Sequence, residues 1–379
     1  MVATQRWIRL IGASLALLAG CGPNPAEESK ADAGALYFSN WEGEIGRNTL
    51  PEFERRTRIH VIVEDIPDNV SLQTKLLTGH SGSDVVVPGS NFLQPLIDAG
   101  ALQKLDKAKL PNWRHLDHTF LAALERIDPG NQYGVPYVWG THAFAYNVKA
   151  VMKVLGREPE PSWQLMFDPE NARRLASCGI AWQDSAGSIM LDFGLLALGR
   201  DPAGESLEDL RTAEAAFMRV RPFVRYIDSS GRSRADLASG EICIAIGANG
   251  EMLQARDLAI ENKTGVEVRY VVPTEGALMW VDLLVIPADA PHPDAAYRFL
   301  DYLMEPAVIA AVTNMTNYAN ANRDATALVD PAVRADPGIY PPEDVRSRLH
   351  LVPGESQAYT RARVAAWTRI LTAKPKPAG

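Results

Sequence analysis

The chain has 379 residues and a mass of 41.4 kDa, with 46% hydrophobic and 22% charged residues, the make-up of a globular protein of about two domains. Its formal net charge of −8 disfavours nucleic-acid backbones and anionic lipid headgroups as partners, and it tolerates a cationic ligand.

Arg6 and Arg9 precede an apolar stretch from Leu10 to Ala19, and small residues lead to Cys21. That order reads as an export signal over residues 1–20, with an apolar run too short to span a bilayer. "LAGC", Leu18 to Cys21, resembles the lipobox of bacterial lipoproteins, which implies cleavage before Cys21 and a diacylglyceryl group on its thiol. Residues 22–34 are rich in Pro, Ala and Glu with no apolar period, so residues 21–34 are expected to be the lipidated Cys and a flexible tether.

From Ala35 the pattern alternates between strand and helix. Strands are expected at Ala35–Phe38, at "HVIVED" (His60–Asp65) and at "SDVVVP" (Ser83–Pro88). Helices are expected from Asn48 or Thr49, over Val70–Thr78 and over Phe92–Ala99. Short continuous apolar strands separated by helices imply an α/β fold, with parallel-rich sheets and helices on both faces. The apolar, aromatic run Tyr133–Asn147 is long enough to cross into a second domain. Beyond it, Cys178–Asp184 reads as a strand and Ser188–Leu198 as a helix. Glu208–Asp228 reads as a long helix with a strand-like end. "EICIAIGANGE", Glu241–Glu251, reads as a buried strand running into a loop. Two further strands are "VEVRYVVP" and "ALMWVDLLVIPADA". A helix over Asp294–Asn314 is expected to break at Pro306.

Enzyme chemistry finds little support. No G-x-x-x-x-G-K-[ST], helix-opening G-x-G-x-x-G or G-x-S-x-G is present. His115 and His118 lack a third nearby ligand, so no metal and no cofactor is expected. Beyond Cys21 only Cys178 and Cys243 remain. In an oxidising compartment they read as one disulfide or as two buried free thiols.

A cation site is the arrangement the residues favour. Carboxylates hold ammonium groups by charge-assisted hydrogen bonds, and aromatic faces pack on the cation and its alkyl stem. Such groups fall at expected strand ends, where open parallel sheets bind ligands. "SNWEGEIG" supplies Trp41, Glu42 and Glu44, and "PGSN" supplies Gly89 and Asn91. Asp184 ends the strand after Cys178, and Glu251 follows "CIAIGANG". "ALMWVDL" supplies Trp280 and Asp282.

Those residues carry a resemblance. With "NW" at Asn40–Trp41 stand "SDVVVPGSNFL", "LDKAKLPNW", "PYVWGT", "GEICIAIG", "EGALMWVD", "YANAN" and "DPGIYPP". From about Leu36 to Thr372 the chain resembles the periplasmic polyamine-binding proteins of bacterial ABC importers, closest to the putrescine-binding branch. The resemblance implies a two-lobed periplasmic-binding-protein fold with a hinge between the lobes. Lobe 1 would hold residues 35–139 plus 279–318, and lobe 2 residues 140–278 plus 319–379. Ligand would sit in the interlobe cleft. The resemblance also implies a disulfide between Cys178 and Cys243, and a ligand-site role for Trp41, Glu251, Trp280, Asp282 and Tyr318.

The chain departs from the family pattern at several of these positions. Glu44 stands where a Tyr packs on the ligand's stem, and Ala248 stands where a Trp does. Glu42 replaces a small hydroxyl residue, Gly43 an acid, Ser188 another acid and Gly89 a Ser. Two aromatic walls are lost while Glu42, Glu44, Glu251 and Asp282 keep the cleft negative. The expected function is that of a lipid-anchored, monomeric periplasmic protein. It would capture a polyamine or related cationic amine and deliver it to the transmembrane subunits of an ABC permease. The alternative is an amine-sensing lipoprotein that signals to a membrane partner.

Overall fold

The computed structural model describes residues 34–183, 189–228, 231–352 and 354–373. The expected export signal, Cys21 and nearly all of the tether lie outside these residues, as do the candidate site residues Asp184 and Ser188.

Eleven described strands join in one sheet. They are β1 (Ala35–Asn40), β2 (His60–Asp65), β3 (Val85–Val86), β4 (Gly134–Asn147), β5 (Ile180–Gln183), β6 (Tyr226–Asp228), β7 (Ile244–Ala248), β8 (Val268–Val271), β9 (Ala277–Val285), β10 (Ala319–Asn320) and β11 (Leu349–Leu351). The order is β2-β1-β3-β9-β4-β7-β5-β6, with β8 and β10 added to β4 and β11 to β9. Each flank is parallel: β1 with β2 and β3, and β5 with β6 and β7. The centre is antiparallel, because β9 runs against both β3 and β4, and β4 runs against β7.

The long run Tyr133–Asn147 therefore does cross the molecule. Its first half, Gly134–Pro136, pairs with Val285–Leu283 of β9. After a register shift between Pro136 and Trp139, Trp139–His142 pairs with Val281–Leu278. His142–Tyr146 then pairs with Ala248–Ile244 of β7. One strand thus links the two parallel flanks.

Each flank has its own aromatic core. On the β1 side Phe38 and Phe53 meet Phe299 edge-on at 4.9 and 5.0 Å. Val85, Val86 and Val87 are fully buried, which is why that stretch reads as a continuous apolar run. On the β5 side Trp163 stacks on Phe193 at 4.9 Å, and Phe217 meets Trp182 and Phe167 edge-on at 5.0 and 4.8 Å. A disulfide joins Cys178 to Cys243, with Cα atoms 5.4 Å apart.

Helix boundaries follow the prolines. The helix expected at Asp294–Asn314 is two, Pro293–Leu303 and Pro306–Thr316, each with Pro in its first turn, where the missing N–H costs nothing. The helix Leu207–Val220 ends before Pro222, and the strand-like end of that segment is β6. Two expectations need correction. The strand over Ser83–Pro88 shortens to two residues, since only Val85 and Val86 find paired neighbours. The stretch after β7 is no loop: a helix begins at Asn249 and runs to Glu261, with Ala248 extended at its cap. Among the described residues no helix is long and apolar enough to cross a membrane.

Candidate functional site

The site forms where the carboxyl ends of the parallel strands meet the two central strands. Trp41 and Glu44 follow β1, and Gly89 follows β3. Gln183 ends β5, and Glu251 follows β7. Trp280 and Asp282 lie within β9, two residues apart and so on one face of it.

A tight turn sets the first wall. The Glu44 N–H donates to the Trp41 carbonyl at 3.1 Å, and Gly43 takes φ +75° inside the turn, a conformation side chains rarely adopt. Two donors then hold the Glu44 carbonyl: Asn40 Nδ2 at 2.9 Å and the Tyr137 hydroxyl at 3.1 Å. The turn presents Glu44 inward and leaves Glu42 outside, in solvent.

Strand β9 sets the second wall. Trp280 pairs with Gly140 of β4, and a Cβ on Gly140 would come within 2.5 Å of the indole, so only glycine leaves the ring its place. Tyr318 meets Trp280 edge-on with ring centroids 4.7 Å apart. Asp282 is 7% exposed and bridges to Gly89, whose N–H is fixed by Asn69 Oδ1 at 2.9 Å.

The third wall comes from the other flank. Glu251 lies in the first turn of the helix Asn249–Glu261, where the helix dipole favours a carboxylate. Gln183 Nε2 donates to Glu251 Oε2 at 2.9 Å. Gly250 touches the ring of Tyr318, and a Cβ there would overlap it. Asn249 locks this end to β4: its Oδ1 accepts from the Thr141 N–H at 3.2 Å, and its Nδ2 donates to the Gly338 carbonyl at 3.1 Å.

Charge and burial couple these walls. Burial pushes the Asp282 carboxyl up to about 8. Glu44 is raised well above the usual carboxylate range, first by burial and then by the charge of Asp282. Tyr318 is raised by burial and then by Glu44, Glu251 and Asp282 in turn, so one phenol feels all three carboxylates. Tyr137 is raised by burial, Glu44 and Asp282. Both tyrosines therefore stay protonated.

The structure thus brings Trp41, Glu44, Gly89, Glu251, Trp280, Asp282 and Tyr318 together. Asn91 lies beside Gly89, its Oδ1 3.0 Å from where a Cβ on Gly89 would stand. It lines a cavity of about 740 Å³ together with Asp98, Arg126, His350 and Glu355, and neither Trp41, Asp282 nor Glu251 borders that cavity. Sequence reasoning left out Tyr137, Gln183 and Asn40. Tyr137 sits in "PYVWGT", Asn40 in "NW" and Gln183 in the strand over Cys178–Asp184, where nothing separates a site residue from a core one. His115 and His118 are accounted for at the surface, by Asp324 at 2.6 Å and Arg323 at 3.2 Å. Among the described residues no group of three or more His, Cys, Asp or Glu could hold a metal ion.

Comparisons with known proteins bear on this geometry. The family model described as bacterial extracellular solute-binding protein matches residues 49–341. The putrescine-binding periplasmic protein SpuD of Pseudomonas aeruginosa is 40% identical over 368 residues, 97% of this chain and 100% of that protein. The putrescine-binding periplasmic protein PotF of Escherichia coli is 38% identical over 372 residues, 98% of this chain and 99% of its own. These relatives are named as binding proteins and not as enzymes. Among solved structures, the spermidine/putrescine substrate-binding protein PotD of Streptococcus pneumoniae superposes with a TM-score of 0.76 at 23% identity, covering 89% of this chain and 98% of that one.

Proposed function

The chain belongs to the bacterial extracellular solute-binding proteins, and from that premise we propose that it captures a polyamine or related cationic amine for delivery to an ABC permease. One observation carries this reading: the buried Tyr318, edge-on to the Trp280 indole, feels the charges of Glu44, Glu251 and Asp282 together. A cation ionises the carboxylates, removes the repulsion between Glu44 and Asp282, and packs its methylenes against Trp41 and Trp280. Relatives named for putrescine support the ligand class.

In this reading the two flanks of the sheet are the two lobes, residues 35–139 plus 279–318 and residues 140–278 plus 319–379. Strands β4 and β9 are the hinge. Closure brings Glu251 on one lobe toward Asp282 on the other, and the closed form docks on the permease. The export signal and the "LAGC" sequence support a lipid anchor on Cys21 at the periplasmic face of a membrane.

A thermal-shift screen tests the ligand class, using putrescine, cadaverine, spermidine, spermine, agmatine and basic amino acids. Ligand at 100 times its Kd stabilises the fold by about 2.7 kcal/mol, a shift of degrees in Tm. At least one di- or polycation is expected to shift it. A shift with sugars or anions and none with amines would remove the proposal. For the anchor, Cys21→Ser is expected to move the protein from the membrane fraction to the soluble one, and unchanged fractionation contradicts it.

A further inference from the structure

Among the described residues, six polar atoms of the site residues and their neighbours are buried with no hydrogen-bond partner. They are Asn40 Oδ1, Glu44 Oε2, Ser90 Oγ, Gln183 Oε1, Trp41 Nε1 and Trp280 Nε1. Their chemistry is mixed. Asn40 Nδ2 donates to a carbonyl and Gln183 Nε2 to a carboxylate, groups that accept, so both amide oxygens are fixed as acceptors. The two indole N–H groups can only donate.

A plain polyamine offers only N–H donors in its charged form. It answers Glu44 Oε2 and the two amide oxygens, and it leaves both indole N–H groups, which are shut off from solvent, without the acceptor that would satisfy them. A carboxylate on the ligand would accept from the indoles but would face Glu44, Asp282 and Glu251. A neutral carbonyl meets both conditions. An amide adds an N–H that can reach an open amide oxygen.

We infer that the cleft is built for an amine that also carries a neutral carbonyl oxygen, as an N-acylated diamine does, with the carbonyl on the indole N–H groups of Trp41 and Trp280 and the ammonium on the carboxylates. This rests on the amine-binding reading and narrows it. Glu44 then acts as a specificity determinant, since once the bound ammonium ionises it, it disfavours an acidic group on the same ligand.

The test is titration calorimetry on the purified full-length protein with N-acetylputrescine and heptylamine, which match in charge and chain length, and with putrescine. N-acetylputrescine is expected to bind at least tenfold tighter than heptylamine. In Trp41→Phe and Trp280→Phe, assayed singly and together, the ratio of the two constants is expected to fall toward one, because the ring stays and the donor goes. Each single variant is read by itself, so a double variant that fails to fold removes nothing. Heptylamine binding as tightly as N-acetylputrescine overturns the inference and leaves the amine reading standing. So does a ratio unchanged in both single variants, or binding of putrescine alone. Binding of none of the three amines, together with a response to sugars or anions, sinks the amine reading itself.

Discussion

Glu44 and Asp282 lie 238 positions apart in the chain yet meet in the fold, where burial raises both carboxyls and the charge of Asp282 raises Glu44 further. Glu44 stands at the end of a strand on one flank, and Asp282 stands on a central strand shared by the fold. Burial thus disfavours the charged form of both, and a cation between them relieves that cost.

Capture should therefore release protons. Asp282 is pushed up to about 8, so below that pH its neutral form dominates in the free protein. A cation binds the ionised form and lowers this value. Affinity is expected to rise with pH up to about 8 and then level off, and calorimetry in buffers of different ionisation enthalpy should register proton release near pH 7. The ligand-free fold behaves in the opposite sense. Its folded state holds more protons than the unfolded chain between the ordinary carboxylate range and about 8. Its stability is thus fullest at the acid end of that window and declines as pH rises through it. In Asp282→Asn this decline should flatten; an unchanged Tm profile would contradict the raised carboxyl.

Neutralising the other end separates charge from shape. Glu251→Gln keeps the volume and leaves a partner for Gln183, but it removes one carboxylate from Tyr318's surroundings. A hydrogen bond to a charged group is worth about 1.5–3 kcal/mol, so amine affinity is expected to fall by roughly 10- to 150-fold. Equal affinity in the variant would mean that ligand never reaches the third wall.

Much of the fold was legible because its signals are local. Val85–Val87 is fully buried and reads as an apolar run, and Pro306 breaks a helix wherever it falls. The site was legible as residue types at strand ends. Its geometry was not. Glu42 and Glu44 look alike in sequence, and only the turn closed by the Glu44 N–H on the Trp41 carbonyl separates the exposed one from the inward one. Tyr137 reaches Glu44 from inside the irregular stretch of β4, where the register shifts between Pro136 and Trp139. The end of β7 was misread for a related reason. Whether "ANGE" continues as loop or begins a helix depends on Asn249 bonding to Thr141 and Gly338, both remote in sequence.

Reduction of the disulfide should act on the unfolded chain more than on the site. Cys178 and Cys243 close a loop with a sequence separation of 65, and in the chain-entropy model this stabilises by about 4 kcal/mol. Cys178→Ser with Cys243→Ser is expected to lower the denaturant midpoint accordingly while the folded protein still binds its ligand. A loss of unfolding free energy under about 1 kcal/mol would show that strain or residual structure cancels the entropic gain.

Gly250 offers a test whose sign runs against helix propensity. Gly→Ala inside a helix ordinarily stabilises by about 1 kcal/mol. Here the added methyl would overlap the Tyr318 ring, which is itself wedged against Trp280. Gly250→Ala is expected to destabilise by about 1–3 kcal/mol, the usual cost of overpacking, and to weaken ligand binding as Tyr318 shifts. An increase in Tm would show that the ring can move aside freely.

Arg363 supports the flank that carries Glu251, at a distance from the ligand. It is 1% exposed on the helix Gln357–Thr372 and bonds Asp192 Oδ2 at 3.0 Å from Nη2, and it also pairs with Glu355. Asp192 lies wholly buried in the apolar helix Met190–Ala197, and burial pushes its carboxyl up to about 6 even though the guanidinium pulls it down. Removing one partner of a buried pair strands the other, which costs about 3–5 kcal/mol. Arg363→Met is therefore expected to be strongly destabilising in urea unfolding. Adding Asp192→Leu should recover much of the loss, since an apolar pair of similar size needs no desolvation. Glu355 would still lack its partner, so recovery should be incomplete, and a further Glu355→Gln should restore part of the remainder. If Arg363→Met alone costs less than about 1 kcal/mol, water replaces the guanidinium, and this flank does not depend on the pair.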